Sequence, residues 1–265
     1  MRINDDRNRI DREAGVQGPR WHTVHEGYFA DAAIARPFVE AVRRAVLASK
    51  PDVVADLGGG TGFVLCQLRA AGLGGDVCLV NVDLSAKQLA ECDDRHIECL
   101  PVSAARVSRR DLNVGNGRLM IIMRSLLHYF GGEGLRPLLA HLVAQLAAGE
   151  MLVHQTASFA ERRDADCLNL LYRKMGTDKW YPTLDELRKE LEAVGLAVCD
   201  TEPAPPLALT SADLAERYHL SGDDVRTVAE ELSQRFGPTP AVFSPAADGF
   251  TAWLHYHILT CRRTS

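Results

Sequence analysis

Short apolar runs alternate with amphipathic stretches along the first half of the chain. The runs carry almost no charge, as is typical of strands that are buried on both faces of a parallel sheet. They occupy positions 53–55, 77–82, 97–102, 119–123 and 151–155. Between them lie stretches with apolar residues three or four positions apart, most clearly over 133–148, and these predict helices. The alternation therefore predicts an α/β fold, with helices on both faces of a parallel sheet.

The N-terminal part of the chain departs from this alternation. A polar segment covers positions 1–20, and an amphipathic helix is predicted over 32–49. We therefore expect a helical cap segment over residues 1–50, followed by one α/β domain over residues 51–265.

The last third of the chain is less regular. Two of its segments, 157–182 and 202–248, lack a clear strand pattern and are predicted to be helical insertions in the α/β domain. Between them, Thr183 and Glu186 have the spacing of a capping box, which predicts the start of a helix.

The first apolar run ends in an acid that is followed by glycines at alternating positions. These residues are Asp56, Gly58, Gly60 and Gly62. Glycine tolerates a positive φ and lets a ligand approach the backbone more closely than a Cβ atom would allow. A nucleotide-like ligand is expected at such a turn, where a strand passes into the N-terminus of a helix. A dinucleotide site would need a third small residue, but that position falls at Phe63 or Leu65, and both are too large.

This spacing resembles motif I of the class I S-adenosylmethionine-dependent methyltransferases, which is written acid-x-G-x-G-x-G. The resemblance covers about residues 50–200 and implies a Rossmann-like, doubly wound sheet of seven strands. It also implies that the glycine loop contacts the amino-acid end of S-adenosyl-L-methionine. In the family, a terminal strand enters antiparallel beside the sixth. Here those strands are predicted at 250–261 and 196–201, with 202–248 inserted between them.

An acid also follows the second apolar run. Asp83 lies about 20 residues beyond the glycine loop, where nucleotide-binding folds place the group that binds ribose hydroxyls. Its alternative role is to cap the helix that begins at Leu84, and the two roles are compatible. After the third strand, the family often has an acid that binds adenine. Ser103 and Ala104 stand there instead, and a hydroxyl or a backbone group can meet the same edge of adenine.

Three further positions are candidate cofactor contacts: Leu84, Arg124 and Tyr28. N-terminal segments cover the cofactor in many methyltransferases, so Trp21 and His25 are expected to line the site together with Tyr28. The alternative is that the aromatic residues of this segment only pack the first helix onto the sheet.

Two histidines are candidate catalytic groups. His128 follows the fourth strand in a run that resembles the L-H-x-W/F segment of small-molecule O-methyltransferases, where the histidine is a general base in some enzymes. An imidazole titrates near neutral pH, which suits that role. The alternative is a histidine that binds the loop or packs on the cofactor. His154 is expected to end the fifth strand at the same edge of the sheet, as a base, a substrate ligand or a structural histidine.

Tyr129, Trp180 and Tyr181 are candidate substrate-binding residues. They lie on predicted loops that follow the carboxyl ends of the strands, where aromatic groups shape a pocket or hold a cationic acceptor. Packing in the core is the alternative for each of them.

Composition narrows the class of substrate. The net charge of −5 disfavours a protein that grips nucleic acid, and positions 123–126 lack the N/D-P-P-Y motif of exocyclic base methylation. Arg124 stands where a metal-dependent enzyme would have an acid, so no metal is expected.

The seven cysteines form no C-x-x-C pair, and no apolar segment has the length of a membrane span. These observations predict a cytoplasmic protein that binds neither nucleic acid nor membrane.

The combined prediction is a methyltransferase that transfers the methyl group of S-adenosyl-L-methionine to an oxygen or nitrogen of a small molecule. Two alternatives remain open at this point. One is an enzyme on the same scaffold that uses the sulfonium in lyase or cyclase chemistry, and the other is a catalytically silent subunit that only binds the cofactor. A homodimer is compatible with the sequence, which does not identify the acceptor.

Overall fold

A computed structural model describes residues 27–264 of the chain. Trp21 and His25 lie outside the described residues. One mixed sheet forms the centre of this part of the protein. Its strands are β1 Val53–Leu57, β2 Cys78–Val82, β3 Ile97–Leu100, β4 Leu119–Arg124, β5 Met151–Ala157, β6 Leu196–Thr210, β7 Phe243–Ala246 and β8 Gly249–Arg263.

Helices cover both faces and one end of the sheet. They are α1 Ala32–Ser49, α2 Phe63–Ala70, α3 Ala86–Leu89, α4 Gly131–Gln145, α5 Arg162–Lys174, α6 Leu184–Ala193, α7 Ser211–Tyr218 and α8 Gly222–Phe236, with a 3₁₀ turn at Leu127–Phe130. The predicted bounds of α1 are confirmed, and so is the capping box of Thr183 and Glu186 at the start of α6. No helix within residues 27–264 is both long enough and apolar enough to cross a membrane.

The strand order is β3-β2-β1-β4-β5-β8-β6, and β7 pairs with one end of β8. Strands β1 to β5 pair in parallel, whereas β8 is antiparallel to both β5 and β6. The predicted antiparallel terminal strand and doubly wound sheet are therefore confirmed. The strand order reverses between β1 and β4, so a crevice is expected beyond the carboxyl ends of these two strands. We call the side of the sheet at which the parallel strands end the carboxyl edge.

Hydrophobic clusters on both faces explain why the central strands are apolar throughout. On one face, Leu57 and Ile121 pack with Leu139 of α4, and on the other, Val54 and Met120 pack with helices α1 and α2. In a further cluster, helices of the last third of the chain pack against the N-terminal part of β8. It contains Tyr28, Tyr172, Tyr181 and Tyr256. This third cluster lies beyond the carboxyl edge and contains four of the protein's six tyrosines.

Strand β6 is longer than the sequence predicts. It continues through Pro203, Pro205 and Pro206 to Thr210, so the first nine residues of 202–248 belong to the sheet and not to an insertion. Proline is tolerated because β6 lies at the end of the strand order, where its only partner among the described strands is β8. Irregular pairing between Ala204 and Leu207 absorbs the local disruption. The remainder of the segment forms α7, α8 and the short strand β7.

Strand β5 is also longer than predicted, and this changes the position of His154. The strand ends at Ala157, three residues past His154, because β8 pairs with it as far as Tyr256. The prediction that His154 ends the strand was therefore wrong. The helix after β2 begins at Ala86 and is capped by Ser85, so Asp83 is not its N-cap.

Candidate functional site

The glycine loop between β1 and α2 follows the predicted conformation. Gly58, Gly60 and Gly62 have φ values of +71°, +57° and +76°, a region that other residues rarely adopt. The N–H of Gly58 donates to the carbonyl of Val82 at 2.7 Å, which anchors the loop to the end of β2. The loop thus leaves backbone, not side chains, at the crevice.

The structure constrains one more glycine of this loop. A Cβ atom on Gly59 would lie 2.3 Å from Oδ1 of Asn81 and 2.8 Å from Oδ2 of Asp56. The motif allows any residue at this position. In this fold, however, a side chain there would clash with Asn81 and Asp56. On the outer side of the loop, a Cβ on Gly58 would lie 2.7 Å from Cδ1 of Leu126, so the segment after β4 packs against the loop.

Asp83 ties the glycine loop to the end of β2. One carboxylate oxygen accepts from the N–H of Gly60 at 2.9 Å, and the other from the N–H of Ser85 at 2.8 Å. Burial raises the pKa of Asp83, and these backbone hydrogen bonds oppose the rise. The N–H of Leu84 is a third backbone donor to this carboxylate, and a carboxylate with about four lone-pair sites still retains acceptor capacity for a ligand.

Asp56 is a buried acid directly below the loop. Its side chain is 1 % exposed, and neither oxygen has a hydrogen-bond partner among residues 27–264. Burial and the nearby charge of Asp83 raise the pKa of Asp56 to about 7, although the positive charge of Arg124 opposes the rise. An unpartnered buried carboxylate is destabilising. The site therefore favours a ligand that brings a positive charge or a hydrogen-bond donor to Asp56.

Arg124 connects the end of β4 to the segment before α1. Its guanidinium donates to the carbonyls of Phe29 at 3.0 Å and Tyr28 at 3.5 Å. It also lies 5.8 Å from the centroid of the Tyr28 ring, which stacks on Tyr256. The hydroxyl of Tyr28 donates to the carbonyl of Pro205. The segment that enters α1 is thereby held against the carboxyl edge of the sheet.

The remaining predicted cofactor contacts, Leu84, Ser103 and Ala104, follow strands β2 and β3. Leu84 is 40 % exposed, and among the described residues Leu47 is the other exposed large hydrophobic side chain. Ser103 is buried, and its hydroxyl accepts from the N–H of Ala105 at 3.2 Å. Ala104 packs in the core cluster. These residues follow β2 and β3 and lie at the same edge of the sheet.

His128 is enclosed by aromatic rings beyond β4. It is 7 % exposed, its ring lies 4.1 Å from that of Tyr129, and it stacks on Tyr181 at 5.3 Å. Burial lowers the pKa of His128 well below its usual value, and the positive charges of Lys179 and Arg217 lower it further. Within residues 27–264, Nδ1 has no hydrogen-bond partner. His128 is therefore neutral at pH 7, and its Nδ1 is buried without a hydrogen-bond partner among the described residues.

The three predicted substrate-binding residues lie in two different places. Tyr129 and Tyr181 lie with His128, and Tyr181 is held by two backbone hydrogen bonds to the Asn169 amide, each 2.8 Å long. Trp180 instead points away and packs against Gly132 at the start of α4, in the core cluster.

His154 lies inside the sheet and away from these groups. It is fully buried within β5, and Nδ1 is 2.8 Å from the hydroxyl of Thr156. Burial lowers the pKa of His154 to about 4. Its position is that of a structural histidine.

Sequence reasoning missed several groups of this site. They are Gly59, Asn81, Tyr172, Lys179, Arg217, Tyr218 and Tyr256. Most of them come from the irregular last third, where no local spacing links one to another. The one available signal was the position of Lys179 beside the two aromatic residues at 180–181. Among the described residues, no group of three or more His, Cys, Asp or Glu side chains is arranged to hold a metal ion.

Solved structures share this fold. They include the YcgJ protein from Bacillus subtilis, at 12 % identity and a TM-score of 0.64 over 87 % of this chain and 99 % of that chain. The 1,6-didemethyltoxoflavin-N1-methyltransferase from Burkholderia thailandensis, with bound 1,6-didemethyltoxoflavin and S-adenosylhomocysteine, is 17 % identical, with a TM-score of 0.57 over 100 % and 92 %.

Magnesium protoporphyrin IX methyltransferase from Synechocystis, with bound S-adenosylhomocysteine, is 14 % identical, with a TM-score of 0.54 over 96 % of this chain and 94 % of that chain. No protein-family model and no curated protein matches the sequence. At these identities the likeness shows the fold, which is the Rossmann-like fold of class I methyltransferases.

Proposed function

We propose that this protein transfers the methyl group of S-adenosyl-L-methionine to an oxygen or nitrogen of a small molecule. The observation that carries the proposal is the glycine loop at the point where the strand order reverses, which lies between the buried Asp56 and the half-buried Asp83. Two proteins of the same fold are methyltransferases with bound S-adenosylhomocysteine, which supports the choice of cofactor.

The groups around the loop fit this cofactor. The remaining acceptor capacity of Asp83 would serve a ribose hydroxyl, and the unpartnered carboxylate of Asp56 would receive the ammonium of the methionine moiety. Arg124 has one unpartnered buried donor, Nε, for the carboxylate of that moiety. The exposed face of Leu84 would be covered by the nucleoside.

Three more groups complete the proposed cofactor site. Ser103 and Ala104 would border the adenine, since they follow β3 at the same edge of the sheet. Tyr28 would close the site from the segment before α1, where Arg124 holds it.

The chain's contribution to the reaction is positioning. Bound S-adenosylmethionine supplies an electrophilic methyl group on a positively charged sulfur. Methyl transfer is an in-line displacement, so holding the acceptor at near-attack distance accounts for much of the acceleration. His128 and Tyr129 lie beyond β4, on the segment that packs against the glycine loop through Leu126, and we propose that they contact the acceptor.

The acceptor is proposed to be a small molecule because the structure of the same fold that holds 1,6-didemethyltoxoflavin has a small-molecule substrate, and because the chain is acidic, with a net charge of −5. All seven cysteines are free thiols, which agrees with the reducing environment of the cytoplasm as the proposed location.

Transfer of an isotope-labelled methyl group tests the proposed function. The full-length protein is incubated with S-adenosylmethionine that carries a ¹³C-labelled methyl group and with a metabolite extract. We expect labelled products to appear together with equimolar S-adenosylhomocysteine. An Asp56→Asn, Asp83→Asn double variant should form neither. Turnover of the cofactor without S-adenosylhomocysteine would contradict a transferase and indicate lyase or cyclase chemistry.

Cofactor binding is expected to depend on pH through Asp56. Below about pH 7 the free protein holds a proton on this carboxyl, because its pKa is raised to about 7. Pairing with an ammonium requires the carboxylate, so binding must release that proton. The affinity for S-adenosylhomocysteine should therefore rise with pH, by up to about tenfold per pH unit, and level off above about pH 7.

Calorimetry in two buffers of different ionisation enthalpy measures the released proton directly. Asp56→Asn should bind more weakly and release no proton from this site. The variant is needed as a control because the pKa of Asp83 is also raised by burial. Equal proton release by the wild type and Asp56→Asn would show that Asp56 does not meet the ammonium.

A further inference from the structure

A polar pair lies below the glycine loop on a face of the sheet that is otherwise apolar. Asp56 of β1 and Asn81 of β2 are register partners, so their side chains point to the same face from strands that are about 4.8 Å apart. On the other side, the register partner of Asp56 is Ile122 of β4, which has no polar side-chain atom. Of these two neighbours in the sheet, only Asn81 can form a hydrogen bond with the carboxyl of Asp56.

A hydrogen bond to the loop fixes the orientation of the Asn81 amide. Its Nδ2 donates to the carbonyl of Gly60 at 3.0 Å, and reversing the amide would lose this bond, because a carbonyl can only accept. The oxygen Oδ1 lies beside Asp56 instead. A Cβ atom on Gly59 would be 2.3 Å from Oδ1 of Asn81 and 2.8 Å from Oδ2 of Asp56. The two oxygens therefore lie close together beneath the same backbone position.

The oxygens of this pair lack a donor when Asp56 is ionised. The side chains of Asp56 and Asn81 are 1 % and 0 % exposed. Within residues 27–264, neither oxygen of Asp56 has a hydrogen-bond partner, and nor has Oδ1 of Asn81. Burying three acceptors together without a donor is costly. A proton on the carboxyl of Asp56 removes this cost, because the O–H group can donate to Oδ1 of Asn81.

The surroundings of Asp56 also favour its protonated form. Burial and the negative charge of Asp83 raise the pKa of Asp56 to about 7, and the positive charge of Arg124 opposes the rise. The buried residues of α1 and α2, which cover this face, include no titratable group. Cys92 packs against Gly62 of the loop, and burial raises the pKa of its thiol to about 12, so it is neutral at pH 7. Arg124 is therefore the cation that opposes this proton.

We propose that Asn81 is a positioning residue of the cofactor site, which accepts the proton of Asp56 at Oδ1 and so keeps this acid neutral until the cofactor binds. The same amide holds the carbonyl of Gly60, so one side chain connects the proton to the glycine loop. When the cofactor binds, the O–H bond of Asp56 breaks, the proton passes to solvent, and the carboxylate pairs with the ammonium. This last step rests on the proposed function, whereas the hydrogen bond in the free protein does not.

The titration of Asp56 in the free protein tests this inference. The full-length protein is labelled with aspartate that carries ¹³C in the side-chain carboxyl, and NMR follows the carboxyl signals as the pH changes. The signal of Asp56 is the one that is missing in Asp56→Asn. We expect Asn81→Val to lower the midpoint of Asp56 by about 0.5–1 pH unit, because the protonated form loses one hydrogen bond.

The matched control is Ile122→Val, which places the same side chain on the other side of Asp56 and removes no polar atom. It should leave the midpoint unchanged. Infrared spectroscopy below the midpoint observes the hydrogen bond itself, with Asp56→Asn as the reference for a difference spectrum. The C=O band of protonated Asp56 should move to higher frequency in Asn81→Val, because its O–H no longer donates. Circular dichroism verifies folding, and Asn81→Ala replaces Asn81→Val if the latter does not fold.

Two results would overturn the inference. An unchanged midpoint in Asn81→Val would show that Asn81 does not accept the proton, and a raised midpoint would show that it stabilises the carboxylate instead. An equal fall in Ile122→Val would assign the effect to packing, with the same consequence.

Calorimetry with S-adenosylhomocysteine tests the proposed function separately. The pH at which its affinity levels off should fall in Asn81→Val by the same amount as the NMR midpoint. If the midpoint falls but the affinity does not follow it, the proposed contact of Asp56 with the ammonium is wrong, although the hydrogen bond between Asp56 and Asn81 is retained. Absence of S-adenosylhomocysteine binding by the wild type would overturn the proposed function itself.

Discussion

Replacing Asp83 by alanine is expected to weaken binding of S-adenosylmethionine by at least about tenfold, or about 1.4 kcal/mol. Two losses combine in this variant. The ribose hydroxyls would lose an acceptor in a partly desolvated site. The N–H of Gly60, which now donates to the carboxylate at 2.9 Å, would lose the partner that holds the glycine loop. Calorimetry with S-adenosylmethionine or S-adenosylhomocysteine measures the effect.

Two further variants separate these losses from a general effect on the fold. Asp83→Asn retains an acceptor oxygen but not the charge, so we expect a smaller loss of affinity than for alanine. Asp76→Ala removes an exposed acid from the loop before β2 and should leave the affinity unchanged. If Asp83→Ala binds the cofactor as tightly as the wild type, the ribose does not lie at this carboxylate.

Replacing Glu150 by alanine is expected to destabilise the fold by about 3 kcal/mol, the lower end of the range for breaking a buried ion pair. Glu150 is 3 % exposed. Its carboxylate accepts from the Arg109 guanidinium at 2.7 and 2.9 Å and from the N–H groups of Leu119 and Ala147 at 2.8 and 2.7 Å. Removing it leaves these donors unsatisfied where β4 begins. The lower end applies because the half-buried Arg109 retains access to water.

Thermal unfolding measures this effect, and a fall in Tm of about 6–12 °C is expected for a chain of this size. Burial alone would raise the pKa of Glu150, but the hydrogen bonds from Arg109, Leu119 and Ala147 outweigh it and lower that pKa. The stabilisation should therefore be complete above the ordinary pKa of a glutamate and decline as the pH falls below it.

The matched control is Glu190→Ala, which breaks an ion pair of similar geometry at the surface. Glu190 receives two hydrogen bonds from Arg136, at 2.7 and 2.8 Å, but Arg136 is exposed. We expect a loss of about 0–1 kcal/mol. If Glu150→Ala lowers Tm no more than Glu190→Ala does, burial does not strengthen the network around Glu150.

The glycine loop was predictable because its information is local. A strand, an acid and glycines at fixed spacing specify a turn whose conformation depends on the backbone itself, and the positive φ values of Gly58, Gly60 and Gly62 agree with it. The position of Asp83 at the end of β2 was predictable for the same reason, since this residue directly follows a buried strand. Gly59 was not, because its constraint comes from the side chains of Asn81 and Asp56, which pack beneath it.

Strand lengths depended on partners that the local sequence does not show. β5 reaches Ala157 because β8 pairs with it that far, and this places His154 within the sheet. β6 passes through three prolines because it lies at the sheet edge, where a missing N–H disrupts fewer hydrogen bonds. Whether a strand is central or at an edge is a property of the assembled sheet.

The sequence by itself determined the order of strands over residues 53–155, the bare loop after β1 and the acid after β2, because hydrophobic periodicity and glycine spacing act over a few residues. Only the tertiary structure decided what surrounds the space beyond β4. Tyr129, Tyr172, Lys179 and Tyr218 come from separate segments, and their charge and ring faces meet through long-range packing. The contacts of the Lys179 ammonium with these rings therefore follow from three-dimensional proximity, which no spacing along this chain encodes.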